Sequence, residues 1–198
     1  MTEILVLYYS RGGSVAALAR QIARGIEEVP GMQARLRTVA PVAEQTEITL
    51  PPVPESGAPY VVKRDLEDCA GLALGSPTRF GNMAAPLKHF IDSLGAEWAS
   101  GTLVGKPACV FTSTSSMHGG QESTLLSMMV PLLHHGCLIT GIPFYGTALS
   151  ETLTGGTPYG ASHFAGQRDD NTLTDHEGEL ARGLGTRLAK ITRALQNA

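Results

Sequence analysis

The sequence predicts an α/β fold in which a parallel sheet carries helices on both faces. Continuous apolar runs of strand-forming residues recur along the chain, as in residues 4–9 and 108–111. Stretches with apolar residues at helical spacing follow these runs, and glycine, proline or serine separates the two kinds of segment. This alternation is typical of a doubly wound sheet, because right-handed crossovers place the helices on both faces.

The first strand and helix form the clearest pair. Residues 4–9 are an apolar run without polar alternation, which indicates a strand buried on both faces and favours a parallel sheet. A short polar segment, Ser10–Ser14, follows this strand. Apolar residues then recur at helical spacing from Val15 to Val29, and Pro30-Gly31 ends the predicted helix.

The middle of the chain holds two more strands and two helices. Leu36–Val39 predicts a second strand near a sheet edge, because it is more polar than the first. Residues 40–60 hold five prolines and predict a long loop, which in a compact domain is usually functional or disordered. A short helix is predicted near Lys63–Glu67, a third strand over Ala70–Leu74 and a helix over residues 83–94.

The next segments continue the alternation. A fourth strand is predicted over Ala108–Phe111, followed by the polar loop Thr112–Gly120. A helix over residues 125–133 contains Pro131, which we expect either to kink the helix or to mark its limit. Cys137–Ile142 predicts a fifth strand.

The end of the chain combines a loop with a well-marked helix. Residues 143–173 show no helical period and are rich in glycine, so we expect a second long insertion loop. Thr174–Glu177 matches a capping box, in which each end residue bonds the backbone of the other. Apolar residues from Leu180 to Leu195 then form the stripe of a final helix.

These elements predict a single domain over residues 1–198. Neither an internal repeat nor a break in composition indicates a second domain. Five strands suit the flavodoxin-like order 2-1-3-4-5, with helices on both faces of the sheet and two long insertion loops.

Composition and charge exclude several classes of protein. Lys and Arg number 15 against 18 Asp and Glu, so no basic excess indicates a nucleic-acid partner or an anionic membrane surface. The longest early apolar run is too short to span a membrane. Three scattered cysteines without a C-x-x-C motif favour a reducing, cytoplasmic compartment. No two histidines have metal-site spacing with a third ligand, so we expect no metal site.

Three loops at the carboxyl ends of the predicted strands are candidates for a ligand site. In an open parallel sheet, ligands bind beyond these ends, at the switch point between strands one and three. The loops are Ser10–Ser14, Ser76–Asn82 and Thr112–Gly120.

The first loop has the composition of an anion cradle. Two serines, two glycines and an arginine precede a helix, whose first N–H groups and positive dipole end attract a phosphate. The same residues are common caps of any strand-to-helix turn, so both interpretations stay open at this point. The loop carries neither a Walker A motif nor a G-x-G-x-x-G motif.

The other two loops can contact a larger ligand. Ser76–Asn82 combines a rigid turn with a cation and an aromatic ring, which suits the wall of a flat aromatic ligand. Thr112–Gly120 is rich in hydroxyl groups that can bond a sugar chain or the edge of a heterocycle. The alternatives are a structural Pro/Gly turn for the second loop and a flexible polar surface for the third.

Six segments spread over nearly the whole chain form a recognisable set. The most specific are P-T-R-F-G-N-M over residues 77–83 and G-G-T-P-Y-G over residues 155–160. The others are Val6–Ser10, Trp98–Gly101, Gly119–Glu122 and His134–Gly136. Together they resemble the WrbA-type NAD(P)H:quinone oxidoreductases, a flavodoxin-like family. The resemblance implies FMN as cofactor, NAD(P)H as hydride donor and a quinone as substrate.

The resemblance also implies a set of cofactor-binding residues. The first loop holds the FMN phosphate, the second lines the isoalloxazine ring, and the third contacts the ribityl chain and the ring edge. The implied residues are Ser10, Arg11, Gly12, Gly13, Ser14, Val15, Pro77, Thr78, Arg79, Phe80, Gly81, Asn82, Thr112, Ser113, Thr114, Ser115, Ser116, Met117, His118 and His134.

Substrate contacts are implied at Trp98, Phe80 and Gly12, and His134 is the candidate catalytic residue, polarising a quinone oxygen. In the family, residues corresponding to Trp98 and His134 border the flavin face and the substrate pocket. An aromatic residue associated with nicotinamide binding often stands there where this chain has Gly12. The family also implies a homotetramer with active sites near subunit contacts.

The implied activity is a two-electron reduction of quinones. Hydride passes from NAD(P)H to flavin N5 and, after the nicotinamide leaves, to the quinone, which predicts ping-pong kinetics. Two alternatives stay open. Electron-transfer flavodoxins are typically strongly acidic, whereas this chain has a formal net charge of −3. An FMN-binding regulatory protein would bind the flavin without reducing quinones.

Overall fold

The computed structural model describes residues 1–42, 54, 57–144, 146–166 and 170–197. The strands are β1 (Thr2–Tyr8), β2 (Met32–Thr38), β3 (Gly71–Arg79), β4 (Asn82–Met83), β5 (Pro107–Thr114), β6 (Leu138–Ile139) and β7 (Ala161–Phe164). The helices are α1 (Ser14–Glu27), α2 (Lys63–Asp68), α3 (Ala85–Asp92), α4 (Gly95–Ala99), α5 (Gln121–His134), α6 (Ala148–Glu151) and α7 (Asp175–Gln196).

A parallel sheet in the order β2-β1-β3-β5 forms the centre of the fold, and two short strands share its next position. β6 pairs with the start of β5, with Leu138 opposite Pro107, and β7 pairs with its end, with Ala161 opposite Phe111. β4 forms a short antiparallel hairpin with β3. The predicted flavodoxin-like fold is confirmed, and the strand order differs in detail because the fifth strand is interrupted.

The predicted fifth strand over Cys137–Ile142 is wrong in its extent. Backbone hydrogen bonds from this segment to β5 continue only as far as Thr140, whose N–H donates to the Ala108 carbonyl oxygen at 2.7 Å. The N–H of Ile142 donates instead to the Pro158 carbonyl at 2.9 Å. The chain has therefore left β5 and entered the insertion, and the strand ends early.

Strand β7 and the short helix α6 lie inside the loop predicted over residues 143–173. β7 is short and mixed in composition, so no apolar run reveals it in the sequence. Its Ser162 and His163 are nonetheless buried, and both side chains are hydrogen-bonded. Hydrogen-bond partners from distant segments stabilise this strand, and the local sequence does not reveal such partners.

Strands β3 and β5 extend into polar residues that the sequence predicts as loops. Ser76 and Thr112 are fully buried, and the Thr112 hydroxyl donates to the Ser76 carbonyl at 2.8 Å. This bond satisfies the buried polar groups, so the strands continue to Arg79 and Thr114. The helix predicted over residues 83–94 divides into α3 and α4.

Helix α5 continues through Pro131 to His134, so this proline does not mark its limit. The capping box of α7 is confirmed: Glu177 N donates to the Thr174 hydroxyl at 3.3 Å, and Thr174 N donates to Glu177 Oε2 at 2.9 Å. Much of the predicted loop over residues 40–60 lies outside the described residues.

Two apolar clusters lie on the two faces of the sheet. One includes Ile22 of α1 and Leu184 of α7, and the other includes Leu87 of α3 and Met128 of α5. At Gly185, α1 and α7 approach so closely that a Cβ would lie 2.1 Å from the Ile22 carbonyl oxygen. None of the helices in the described part of the chain combines the length and apolar character that a membrane span requires.

Candidate functional site

The carboxyl ends of β1, β3 and β5 bring three loops to one edge of the sheet, where they enclose a cavity of about 180 Å³. This edge is the expected ligand position in an open parallel sheet. The lining residues are Ser10, Arg11, Gly12, Ser14, Val15, Pro77, Thr78, Arg79, Ser113, Thr114, Ser115 and Ala165. All three predicted loops therefore contribute to a common cavity.

The first loop turns the chain from β1 into α1. Gly13 has a φ of 98°, a left-handed conformation that glycine adopts without strain, and it caps the helix. The Ser10 hydroxyl accepts a hydrogen bond from Ala16 N at 3.2 Å, so this serine supports the start of the helix. Ser14 and Val15 begin α1 and line the cavity, which therefore lies at the positive end of the helix dipole.

The second loop is a tight hairpin turn between β3 and β4. Phe80 and Gly81 form its corner, with φ values of 53° and 78°, which suit a two-residue hairpin. The Phe80 ring is fully exposed, and its left-handed backbone stores strain of about 1 kcal/mol, as is common at functional sites. The Thr78 hydroxyl oxygen accepts hydrogen bonds from Gly81 N at 3.3 Å and from the Thr124 hydroxyl of α5 at 2.8 Å.

The third loop begins at the end of β5 and is tied to β7. The Thr114 hydroxyl accepts a hydrogen bond from Gln121 Nε2 at 3.1 Å, and Gln121 Oε1 accepts one from the Ser162 hydroxyl at 2.6 Å. Ser113 and Ser115 line the cavity. Ligand atoms can therefore bond these two hydroxyl groups at a rigidly held edge.

Positive charge dominates the cavity. Arg11 and Arg79 line it, and no carboxylate of the described residues does. A wider opening of about 840 Å³ shares both arginines and is also lined by Tyr9 and Lys88. Hydroxyl groups, two guanidinium groups and a helix N-terminus together form a donor set that fits a phosphate and a polyhydroxyl chain.

A separate groove of about 480 Å³ between α3, α4 and α5 contains Trp98 and His134. The indole N–H of Trp98 donates to the His134 carbonyl oxygen at 2.9 Å. Asn82 of the hairpin lines this groove and also the wider opening beside Arg79. The structure thus brings Trp98 and His134 together, and the hairpin connects their groove with the arginine-lined opening.

Several predicted cofactor residues do not line the cavity that the three loops enclose. They cap α1, form the hairpin turn, continue along the exposed third loop, or belong to the groove between the helices. Thr112 differs from the others, because it is fully buried and its hydroxyl bonds Ser76. These residues are Gly13, Phe80, Gly81, Asn82, Thr112, Ser116, Met117, His118 and His134.

The segment after β7 also reaches the cavity, which the sequence did not reveal. Ala165 lines the cavity, and Asn171 Nδ2 donates to the Gly12 carbonyl at 3.1 Å. The Ser14 hydroxyl donates to the Asp170 carbonyl at 3.3 Å. The segment is aperiodic, and its position just before the α7 capping box is the one sequence signal that it has. Where side chains are described, no group of three His, Cys, Asp or Glu can hold a metal ion.

This sheet order, with an anion cradle after its first strand, defines a flavodoxin-like protein. A WrbA-like flavodoxin from Agrobacterium tumefaciens has a TM-score of 0.67 at 20% identity, covering 98% of this chain and 99% of that one. Flavodoxin 1 from Bacillus cereus has a TM-score of 0.61 at 17% identity, covering 96% and 98%. At these identities the likeness shows the fold.

The chain belongs to the NADPH-dependent FMN reductase family, whose model matches residues 2–145. A NAD(P)H dehydrogenase (quinone) from Solidesulfovibrio magneticus is 41% identical over 201 residues, covering 98% of this chain and 99% of the relative. NAD(P)H dehydrogenase (quinone) 3 from Rhizobium meliloti is 40% identical over 200 residues, covering 99% and 94%. The family resemblance indicated by the sequence motifs is confirmed.

Proposed function

We propose that this protein is an FMN-dependent NAD(P)H:quinone oxidoreductase. The observation that carries the proposal is the convergence of the β1, β3 and β5 loops on one positively charged cradle. Family membership and full-length similarity to quinone dehydrogenases support the same conclusion.

The loop after β1 holds the FMN phosphate in this proposal. Ser10, Gly12 and Ser14 line the cradle, and the N-terminus of α1 adds a positive dipole end. The hydroxyl groups of Ser113 and Ser115 suit the ribityl chain. The remaining predicted residues on the hairpin turn and the third loop surround the ring.

Bound FMN supplies a two-electron carrier that takes up hydride from one substrate and passes it to another. The chain's own residues provide binding, orientation and electrostatics. Arg79 is oriented by a hydrogen bond from its Nη1 to the Thr78 carbonyl at 2.7 Å and contributes positive charge to the cavity. This charge favours uptake of electrons at the site, because it stabilises the negative charge that reduction brings.

The groove that contains Trp98 and His134 is the proposed quinone site. The Trp98 ring offers a flat apolar surface to a planar quinone, and the His134 imidazole can donate a hydrogen bond to a quinone oxygen. Phe80 and Gly12 are further proposed substrate contacts, on the hairpin turn and in the cradle. Nicotinamide and quinone use the same space in turn, so the first product leaves before the second substrate binds.

Steady-state kinetics test this function. The FMN-reconstituted protein oxidises NADH or NADPH while benzoquinone is varied at several fixed nucleotide concentrations. We expect parallel double-reciprocal lines. Intersecting lines would contradict the shared site, and FMN binding without any turnover would overturn the enzymatic function in favour of a carrier or regulatory protein.

We also propose a homotetramer, as the family resemblance implies. Trp98, Val130 and Leu133 are each more than half exposed, although they are large and apolar. Exposed apolar patches of this kind usually mark contacts between proteins. Sedimentation equilibrium should give a mass near four times the 20.8 kDa chain, and a monomeric mass would contradict the proposal.

A cytoplasmic location and a single domain complete the proposal. Cys69, Cys109 and Cys137 are free and buried, which suits a reducing compartment. Cell fractionation tests the location, and limited proteolysis tests the domain organisation. We expect the protein in the cytosolic fraction and one protease-resistant core.

A further inference from the structure

Two residues that follow β7, Asp170 and Asn171, form the rear wall of the phosphate-binding loop. Asn171 Nδ2 donates to the Gly12 carbonyl at 3.1 Å, across 159 positions of sequence. The Ser14 hydroxyl donates to the Asp170 carbonyl at 3.3 Å. A Cβ on Gly13 would lie 2.5 Å from Asn171 Nδ2, so the amide packs directly against the left-handed glycine. We call Asp170 and Asn171 the rear wall.

The rear wall is held from the interior of the protein by His163. Its Nε2 lies 2.7 Å from the Asp170 carbonyl oxygen, and its Nδ1 lies 2.9 Å from Glu177 Oε2. The His163 side chain is 2% exposed and that of Glu177 is fully buried. The imidazole therefore connects the first turn of α7 to the rear wall, and through it to the loop that lines the cavity.

The partners of His163 determine its protonation. A carboxylate and a backbone carbonyl accept hydrogen bonds, so these two partners favour the imidazolium form, in which both ring nitrogens donate. Burial lowers the pKa of His163, but the hydrogen bonds to Glu177 and Asp170 outweigh burial and raise it. In its protonated form the ring holds the rear wall through two charge-assisted hydrogen bonds, which are stronger than neutral ones.

Glu177 is equally well defined. Its Oε1 accepts from Gly155 N at 2.8 Å and Phe164 N at 3.0 Å, and its Oε2 accepts from Thr174 N at 2.9 Å as well as facing His163. Burial raises the pKa of Glu177, but the bond from His163 and those from the backbone lower it to about 2. The carboxylate is therefore a fixed anchor for the ring.

We propose that His163 is a positioning residue for the cofactor phosphate. It fixes Asp170 and Asn171, which in turn fix the backbone of Gly12 to Ser14 around the phosphate. A cradle built from backbone N–H groups and short hydroxyls has no long side chain to compensate for a displaced loop, so its affinity depends on this support. The inference rests on the FMN site proposed above.

Comparing FMN with riboflavin tests the inference, because riboflavin lacks the phosphate. The variants are His163→Gln, which keeps one donor, and Asn171→Ala, which changes an exposed side chain. The matched control is His176→Gln, on the first turn of α7, whose ring lies 3.9 Å from Glu151 at the surface. Dissociation constants of both flavins are measured with the apo-protein by quenching of flavin fluorescence.

We expect both variants to weaken FMN binding by about tenfold, as the loss of charge-assisted or positioning hydrogen bonds implies. Riboflavin binding should change by less than about twofold, since its contacts lie on the other two loops. His176→Gln should bind both flavins as the wild-type protein does.

An equal loss of affinity for both flavins would overturn the inference, because it would indicate a general structural defect. Unchanged FMN binding by Asn171→Ala would also overturn the inference. This variant retains the buried pair of His163 and Glu177, so it tests the contact with Gly12 without disturbing the interior. The experiment measures equilibrium binding and does not depend on turnover. If the protein binds FMN but does not reduce quinones, the proposed function is refuted. The ratio of the FMN and riboflavin affinities still tests this inference in that case.

Discussion

The indole N–H of Trp98 donates to the carbonyl oxygen of His134 at 2.9 Å, which ties α4 to the end of α5. The two side chains line the same groove, so the bond fixes the position of one groove wall relative to the other. The proposed quinone site is therefore shaped by a contact that is independent of the phosphate cradle.

Replacing Trp98 with phenylalanine should raise the KM for quinones. The substitution keeps an aromatic ring but removes the donor to His134, and one hydrogen bond of about 1 kcal/mol corresponds to roughly fivefold in affinity. Steady-state kinetics with benzoquinone measure the effect. The dissociation constant of FMN serves as the control and should not change, because Trp98 does not line the cradle. An unchanged KM would count against the proposed quinone site.

Replacing Arg79 with glutamine should make the reduction potential of the bound flavin more negative. The guanidinium lines the cavity, and its charge stabilises the reduced state. A loss of about 1.4 kcal/mol would correspond to about 30 mV for a two-electron couple. Equilibration with a redox dye measures the potential. Arg64→Gln, a change in an exposed pair with Asp68, is the control, and an equal shift there would refute a local role of Arg79.

Replacing Gly185 with alanine should destabilise the fold. The new Cβ would lie 2.1 Å from the Ile22 carbonyl oxygen, so α1 and α7 must separate at a cost of about 1–3 kcal/mol or more. Gly183→Ala is the matched control in the same helix. Its Cβ meets no atom within 4 Å, so helix propensity should stabilise the protein by up to about 1 kcal/mol. Urea denaturation measures both, and equal effects would contradict the close helix contact.

The buried pair of His163 and Glu177 should shape the pH dependence of stability. The pKa of Glu177 is lowered from 4.5 to about 2, so its contribution is present above pH 4.5 and is lost as the pH falls towards 2. The pKa of His163 is raised from 6.5, so its contribution is complete below 6.5 and is lost as the pH rises through the raised value. The pair should therefore stabilise the fold most between about pH 4.5 and 6.5.

Urea midpoints across the pH range test this dependence. Glu177→Gln should lower the midpoint near pH 5.5 and flatten the decline below pH 4.5, because the group that titrates there is gone. Glu179→Gln, two residues along the same helix and exposed, is the matched control and should retain the wild-type profile. If the urea midpoint of Glu177→Gln declined below pH 4.5 as steeply as that of the wild-type protein, other carboxylates would be the cause of the decline.

Local patterns were sufficient for the first strand, for α1 and for the α7 capping box. The run over residues 4–9 has no polar interruption, and Thr174 and Glu177 bond each other within one turn. β7 could not be predicted in this way. Its polar Ser162 and His163 are buried because Gln121 and Glu177 supply their partners from other elements.

The candidate site divides in the same manner. The three loops were predictable, since parallel strands end at one edge and the motifs mark the loops. The sequence did not predict that the groove of Trp98 and His134 is separate from the cradle, because this separation depends on where α4 and α5 pack. Thr112 shows the difference at one residue: its hydroxyl group could bond a ligand, but it is fully buried and donates to the Ser76 carbonyl oxygen.

The sequence by itself determined the alternation of strands and helices, the flavodoxin-like fold class and the family, because these follow from hydrophobic periodicity and short motifs. Only the tertiary structure decided which residues support the cradle from behind. Asn171 contacts Gly12 across 159 positions, and His163 reaches the same loop through a carbonyl group. Such contacts depend on how helices and insertions pack across the sheet, and directed hydrogen bonds between distant segments leave no period in the chain.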